Sequence, residues 1–302
     1  MTRDLVRDLF LPRLGSAELD ELDDAALVSS LLFTTDSFVV DPIFFPGGDI
    51  GKLSVVGTLN DLWVSGAKPL FLSAGFIIEE GTSIDDLATI VESMSAAASE
   101  AGVRIVAGDT KVVPRGKGDK VFINTSGVGA LREERRGPRR AMPGDRVMVS
   151  GTVGEHGLVI LSSRLKLPIG SLISDCGPVG PDVDRLFQAG VEVHMMRDPT
   201  RGGLASVLKE VAEKSSCDIH LREADVPVRQ EVRELADILG VDPFYLPCEG
   251  RVVAFAAPGP LPSGWVEIGA VTEGQGDLYL ETRYGGHRRL SLFEGSPLPR
   301  IC

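Results

Sequence analysis

Five short stretches place a carboxylate beside a glycine or at the end of a strand-like run: TTDSF with Asp36, PGGDIGK with Asp49, LND with Asn60 and Asp61, AGDTK with Asp109 and Lys111, and MRDPTRGG with Asp198 and Arg201. Singly, an aspartate next to a glycine forms a turn or caps a helix. Several carboxylates with an amide and a cation are what Mg2+ and a nucleoside triphosphate require, because the hard cation bridges protein carboxylates and phosphate oxygens. Flanking glycines let main-chain N–H groups approach those phosphates. The residues by themselves lead to a Mg-nucleotide enzyme and no further.

The common nucleotide and metal fingerprints fail. In PGGDIGKLS, Gly47 and Gly51 stand too close together for a P-loop, and Leu53 occupies the place that needs Ser or Thr. No GxGxxG follows a strand, the histidines form no HxxxH or HExxH pair, and the cysteines form no CxxC, so zinc and a redox dithiol are excluded as readings. Cys302 and Glu249 remain. Cys302 follows PLPRI at the end of the chain, where a frayed, incidental thiol is the plain interpretation. Its own carboxylate raises the thiol pKa and Arg300 opposes that, which suits a mobile carrier loaded by another enzyme better than a primed nucleophile. Glu249, between Cys248 and Gly250 at the entrance to the strand RVVAFAA, is placed to be a partly desolvated base, whereas Cys248 reads as buried filler.

The elements that must position these groups form an α+β chain. LLFTTDSFVV reads as a strand carrying Asp36, and apolar residues recur at helical spacing through LSVVGTLNDLWVSGA, interrupted by Asn60 and Asp61. FLSAGFIIEE is a strand, Ser83 opens a helix that runs to about Ala101, and VRIVAGDTKVV and KVFINTSGVGAL are two more strands. The arginine-rich REERRGPRRAMPGD breaks the pattern and marks a boundary. After it come the strand RVMVSGTVG, helices near 156–166 and 181–189, the amphipathic helix GGLASVLKEVAEKS, and the strands CDIHLRE, RVVAFAA, WVEIGAV and DLYLETRY. The expected organisation is two mixed α/β domains, 1–134 and 142–284, followed by a flexible tail, 285–302, long enough for Cys302 to reach its own cleft or a partner's.

A length of 302 residues suits two domains, and 43% hydrophobic with 25% charged residues is globular composition. The net charge of −12 repels a polyphosphate, so nucleic acid is not an expected partner. The apolar runs LVSSLLF and FLSAGFII fall short of the ~20 residues of a membrane helix. MTRDLVRDLFLPRL lacks a secretory apolar stretch, so the expected location is the cytoplasm.

At TTDSFVVDPIFFPGGDIGKLSVVGTLNDLWVSGAKP, FIIEEG, GDTKVVPRGKGDKVFINTSGVG, MRDPTRGG, the EG of PCEG and the terminal PRIC, the chain resembles the HypE family of hydrogenase maturation proteins along nearly its whole length. That family is similar to a wider ATP-binding group with aminoimidazole ribonucleotide synthetase, selenophosphate synthetase and thiamine-monophosphate kinase. The resemblance implies an N-terminal domain that pairs into a homodimer through a β-barrel. It also implies that the carbamoyltransferase HypF loads Cys302 with a carbamoyl group, which ATP dehydrates to a thiocyanate, and that the cyanide passes to iron on a HypC–HypD complex. Glu249 and Lys111 are implied, with Cys302, as catalytic. Asp36, Asp61, Asp109 and Asp198 are implied metal ligands, and Gly48, Asp49, Lys52, Asn60, Gly108, Thr110 and Arg201 complete the implied Mg-ATP site. The alternatives are a small-molecule kinase or synthetase of the wider group, for which Cys302 is incidental, and a carbamoyl carrier without ATP turnover, since no glycine-rich HGSGG-type segment precedes DLVRDLFLPRL.

Overall fold

The computed structural model describes residues 5–16, 18, 23–132, 139–292 and 300–302. A short helix, α1 (Leu11–Leu14), precedes the first domain. That domain holds a sheet of β1 (Ala26–Val28), β2 (Leu31–Phe38), β5 (Ala67–Glu79), β6 (Arg104–Val113) and β7 (Val121–Leu131), in the order β1-β2-β7-β5-β6. Only β5 and β6 run parallel. The crossover between them is α3 (Ile84–Glu100), begun by the Ser83 cap. A two-stranded ribbon, β3 (Phe44–Phe45) with β4 (Gly48–Asp49), leads into α2 (Ile50–Val64).

Helix α2 is apolar on nearly every side, so it has to be covered all round. It packs against β2 and β7 of its own sheet, against α3, and against the second domain. Asn60 and Asp61 lie in its last turns and so point into the boundary between the domains. Asp49 caps its start, accepting from Gly51 N at 2.7 Å and Lys52 N at 3.1 Å.

The second domain contains β8 (Arg146–Val149), α4 (Glu155–Leu165), α5 (Gly180–Gln188), β9 (Val193–Arg197), α6 (Gly203–Ser215), β10 (Cys217–Arg222), α7 (Gln230–Leu239), β11 (Val253–Ala256), β12 (Val266–Glu273), β13 (Leu278–Glu281) and β14 (His287–Leu290). Its strands form one sheet in the order β14-β13-β10-β12-β8-β11-β9. The core on one side of this sheet belongs to the second domain alone, while the other is continuous with the first domain through Trp63, Val179 and Leu186. No helix among the described residues is long and apolar enough to cross a membrane.

The expected tail begins too early. His287–Leu290 pairs antiparallel with β13, and Leu290 is buried, so the second domain extends past 284. Gly285, at φ 79°, supplies the left-handed turn that returns the chain to the sheet. The last three residues are docked too: Ile301 is buried in the core shared by the domains. Residues 293–299, between these anchors, and 133–138 of the expected boundary lie outside the described residues.

Candidate active site

Between the domains lies a cavity of about 300 Å³. The first domain lines it with Asp24, Thr34, Asp36 and Asp61, the second with Asp198, Arg201 and Glu249, and Cys302 enters from the chain's end. Asp36 stands on β2, Asp61 on α2, Asp24 just ahead of β1 and Asp198 just after β9. Thr34 Oγ1 donates to Asp61 Oδ2 at 2.7 Å, and Arg197 reaches across the domain boundary to Asp24 at 2.8 Å.

Oxygen atoms of Asp24, Asp61 and Asp198 all lie within 4.8 Å of one another. Hard carboxylate oxygens at that spacing fit a divalent cation such as Mg2+. The electrostatics agree. Burial, followed by Asp36, Asp198 and Asp24, holds the Asp61 carboxyl well above its usual range. Burial and Asp24 push Asp198 to about 8 despite Arg197, and burial pushes Asp24 to about 6, again against Arg197. Asp36 is raised by burial and eased by its bond to Asp61 and by Arg201. A bound cation would remove this mutual repulsion, so the cluster is suited to hold one.

This gives a direct test on the cation-free protein. In an unfolded chain Asp198 ionises at its ordinary 3.8, whereas the folded chain keeps that proton to about 8. His156, held near 4 by burial, opposes this by at most half a proton at pH 6.5, where its unfolded ring is half protonated, and by less at higher pH. Between pH 6.5 and 8 the folded state therefore binds the extra proton, and stability falls as pH rises. The expected melting temperature drops across that interval, and millimolar Mg2+ flattens the drop. Asp198→Asn should flatten it too; an unchanged slope in that variant would count against Asp198 as its source.

Glu249 is fixed through its main chain. Asp175 Oδ2 accepts from Glu249 N and Gly250 N, both at 3.1 Å. Asn60 Nδ2 donates to Glu249 O at 3.0 Å and to Gly177 O at 3.2 Å, while its Oδ1 accepts from Val179 N at 3.0 Å. A Cβ on Gly250 would stand 2.0 Å from Asp175 O, so only glycine fits there. The Glu249 side chain itself is buried with Oε1 unpartnered, and burial with Asp198 and Asp175 lifts its carboxyl well above the usual range. Enclosure and Glu249 push the Cys302 thiol to about 12, with Arg201 pulling the other way as a hydrogen-bond partner.

Asp36, Asp61, Asp198, Arg201, Glu249 and Cys302 thus converge as the sequence suggests. Others do not. Asp49 is occupied as a helix cap, Lys52 donates to Gly47 O at 3.1 Å, and Gly48 belongs to the β3–β4 ribbon. Asn60 spends its amide on main-chain groups, which makes it a clamp rather than a nucleotide contact. Gly108, Asp109, Thr110 and Lys111 lie on β6, three strands from β2, so Asp109 is about 14 Å from the level of Asp36 in its own chain. There Asp109 and Lys111 are both exposed and pair with each other at 2.6 Å. Sequence reasoning missed Asp24, whose signal was an acidic doublet directly before a strand, and Asp175, which nothing local marked.

Family models agree with this division: AIR synthase related protein, N-terminal domain, matches residues 22–131, and AIR synthase related protein, C-terminal domain, matches 142–277. Carbamoyl dehydratase HypE of Rhodobacter capsulatus is 45% identical over 99% of this chain and 94% of its own length. A crystal structure of hydrogenase maturation protein HypE in complex with ATP has 44% identity and a TM-score of 0.86, covering 100% of this chain and 96% of that one. A crystal structure of a HypE–HypF complex has 40% identity and a TM-score of 0.89, covering 96% of this chain and 99% of that one.

Proposed function

Because this chain belongs to the HypE family of carbamoyl dehydratases, a branch of the AIR synthase related proteins, we propose that it uses ATP to dehydrate an S-carbamoyl group carried on its own Cys302. One observation carries the reading: the Cys302 thiol, the Glu249 carboxyl with its unpartnered Oε1, Arg201 and a cation-ready carboxylate cluster share one cavity. The overall change is Cys–S–C(=O)NH2 plus ATP to Cys–S–C≡N plus ADP and phosphate. When bound, ATP supplies the phosphoryl group that turns the amide oxygen, a poor leaving group, into a phosphate that can depart.

The chain's own residues do the rest. Asp24, Asp61 and Asp198 would hold Mg2+ for the nucleotide phosphates, and Asp36 adds its charge beside them. Arg201 neutralises negative charge that develops next to the sulfur. Glu249 is the base for the amide protons: burial makes its carboxylate strongly basic once formed, and no competing hydrogen bond occupies Oε1.

The loading enzyme is a carbamoyltransferase of the HypF kind, the acceptor an iron-bearing HypC–HypD complex, and the setting the cytoplasm. Pairing into a homodimer is supported by the open face and edges of the first sheet, where Phe33, Phe71, Ile105, Val106 and Val112 are exposed. Asp109 and Lys111 then act only if that pairing carries them to the partner's cleft.

Mass spectrometry of the intact tail tests the reading. Incubated with the carbamoyltransferase and its substrates, Cys302 should gain a carbamoyl group, then lose the mass of one water only when Mg-ATP is added. Carbamoylation with no water loss would reduce the protein to a carrier, and no modification at Cys302 would end the proposal.

A further inference from the structure

The last three residues are bound through their main chain as a peptide ligand would be. Cys302 O accepts from Val39 N at 2.9 Å, Ile301 O from His156 Nε2 at 2.9 Å, and Arg300 O from Asp41 N at 3.2 Å and from Arg164. Arg300 fixes the register: its guanidinium pairs with Asp119, donates to Val39 O at 2.9 Å and lies over the Phe122 ring.

His156 differs from the other donors. It comes from the first turn of α4 in the second domain and is completely buried, with Phe45 edge-on at 5.4 Å. A carbonyl oxygen can only accept, so Nε2 carries the hydrogen, and in the neutral ring Nδ1 must then accept. Ser174 Oγ supplies that donor at 2.8 Å while itself accepting from Cys176 N at 3.0 Å. Burial keeps the ring neutral, at a pKa of about 4. The backbone also ties His156 to the base: Asp175 Oδ1 accepts from His156 N at 3.1 Å and Oδ2 of the same carboxylate accepts from Glu249 N at 3.1 Å.

We infer that His156 is a positioning residue that seats the sulfur of Cys302 against Glu249 by holding the Ile301 carbonyl, with Ser174 setting its tautomer. The catalytic meaning of that seat rests on the function proposed above; the seating itself does not. A seated sulfur, partly buried in the cleft, is less accessible to outside reagents than a free chain end, and it must leave the seat to be loaded. Removing His156 should therefore speed alkylation and slow dehydration with the change in labelling confined to Cys302, whereas a general loss of stability would expose the buried Cys176, Cys217 and Cys248 as well.

The experiment is alkylation of Cys302 by iodoacetamide, read peptide by peptide, beside single-turnover dehydration of preloaded protein. His156→Ala should alkylate at Cys302 roughly tenfold faster than the parent, as expected for one lost hydrogen bond to a buried carbonyl. It should load no more slowly and dehydrate about tenfold more slowly. His156→Gln, which can offer its amide N–H to Ile301 O, should recover part of both. Faster labelling of Cys176, Cys217 and Cys248 as well would mark unfolding, and Ser174→Ala then decides, since it leaves the ring in place and frees its tautomer. Alkylation of Cys302 at the parent rate in folded His156→Ala, or in Ser174→Ala where that variant decides, overturns the inference. Faster alkylation with an undiminished dehydration rate would leave the seating intact and remove its role in the reaction.

Discussion

Cys302→Ala is expected to fold, to bind ATP as the parent does, and to form no dehydrated product at all. The argument is one of atoms. If the substrate is a group covalently borne by the sulfur, deleting the sulfur deletes the substrate, whereas a kinase or synthetase acting on a free small molecule would retain turnover. Cys302 is only partly buried, and its backbone anchors, Val39 N and His156, contact main-chain oxygens that alanine keeps. The loss in stability should therefore be small. The decisive pairing is melting temperature and nucleotide binding on one side, and tail mass after the full reaction on the other. Phosphoryl transfer to a small-molecule acceptor at the parent rate in this variant would sink the self-dehydration reading.

Glu249→Gln should give the second-largest effect. Glutamine preserves the side-chain volume and the main-chain bonds to Asp175 and Asn60, so the loop retains its shape. It removes a buried, unpartnered carboxylate oxygen from the cavity that holds the thiol. Dehydration of preloaded protein should fall by roughly 10²–10⁴-fold, the usual worth of a positioned general base, with loading of Cys302 unaffected. A consequence for stability runs the other way. Burying Glu249 raises its carboxyl well above the ordinary value, so near neutral pH the parent bears a cost that the amide does not. The variant's melting temperature should equal or exceed the parent's. Dehydration at the parent rate would assign the proton transfer to another group.

Much of this site could be read from the sequence because a polar residue in an apolar run stands out. Asp61 breaks the helical apolar pattern of α2, Asp36 sits inside a strand, and Asp198 directly follows one. Asp49 carried the same local signal, yet it caps α2; the difference lies in a hydrogen bond to Gly51 N that both interpretations of PGGD allow. Asp24 was hidden for the opposite reason, since one carboxylate in the acidic run ELDELDD looks like solvated surface until Arg197 folds onto it from the other domain. His156 is a lone histidine on an apolar helix, and only the return of the chain's end gives it Ile301 O. Asp109 and Lys111 carry the motif but lie away from the cleft of their own chain, because strand order, which no local pattern encodes, puts β6 at the far edge of the sheet.

The strand β14 has one more consequence. Leu290 is anchored in the second sheet, twelve residues before Cys302, so chain length alone keeps the substrate group within about 40 Å of that anchor. Such a tether holds the tail at an effective concentration in the millimolar range or above, whatever the amount of protein present. Dilution will not starve the cleft, no other copy can readily compete for it, and each molecule performs one dehydration before it must hand its product away. Further turnover then requires that the tail leave the cleft to be unloaded and loaded again.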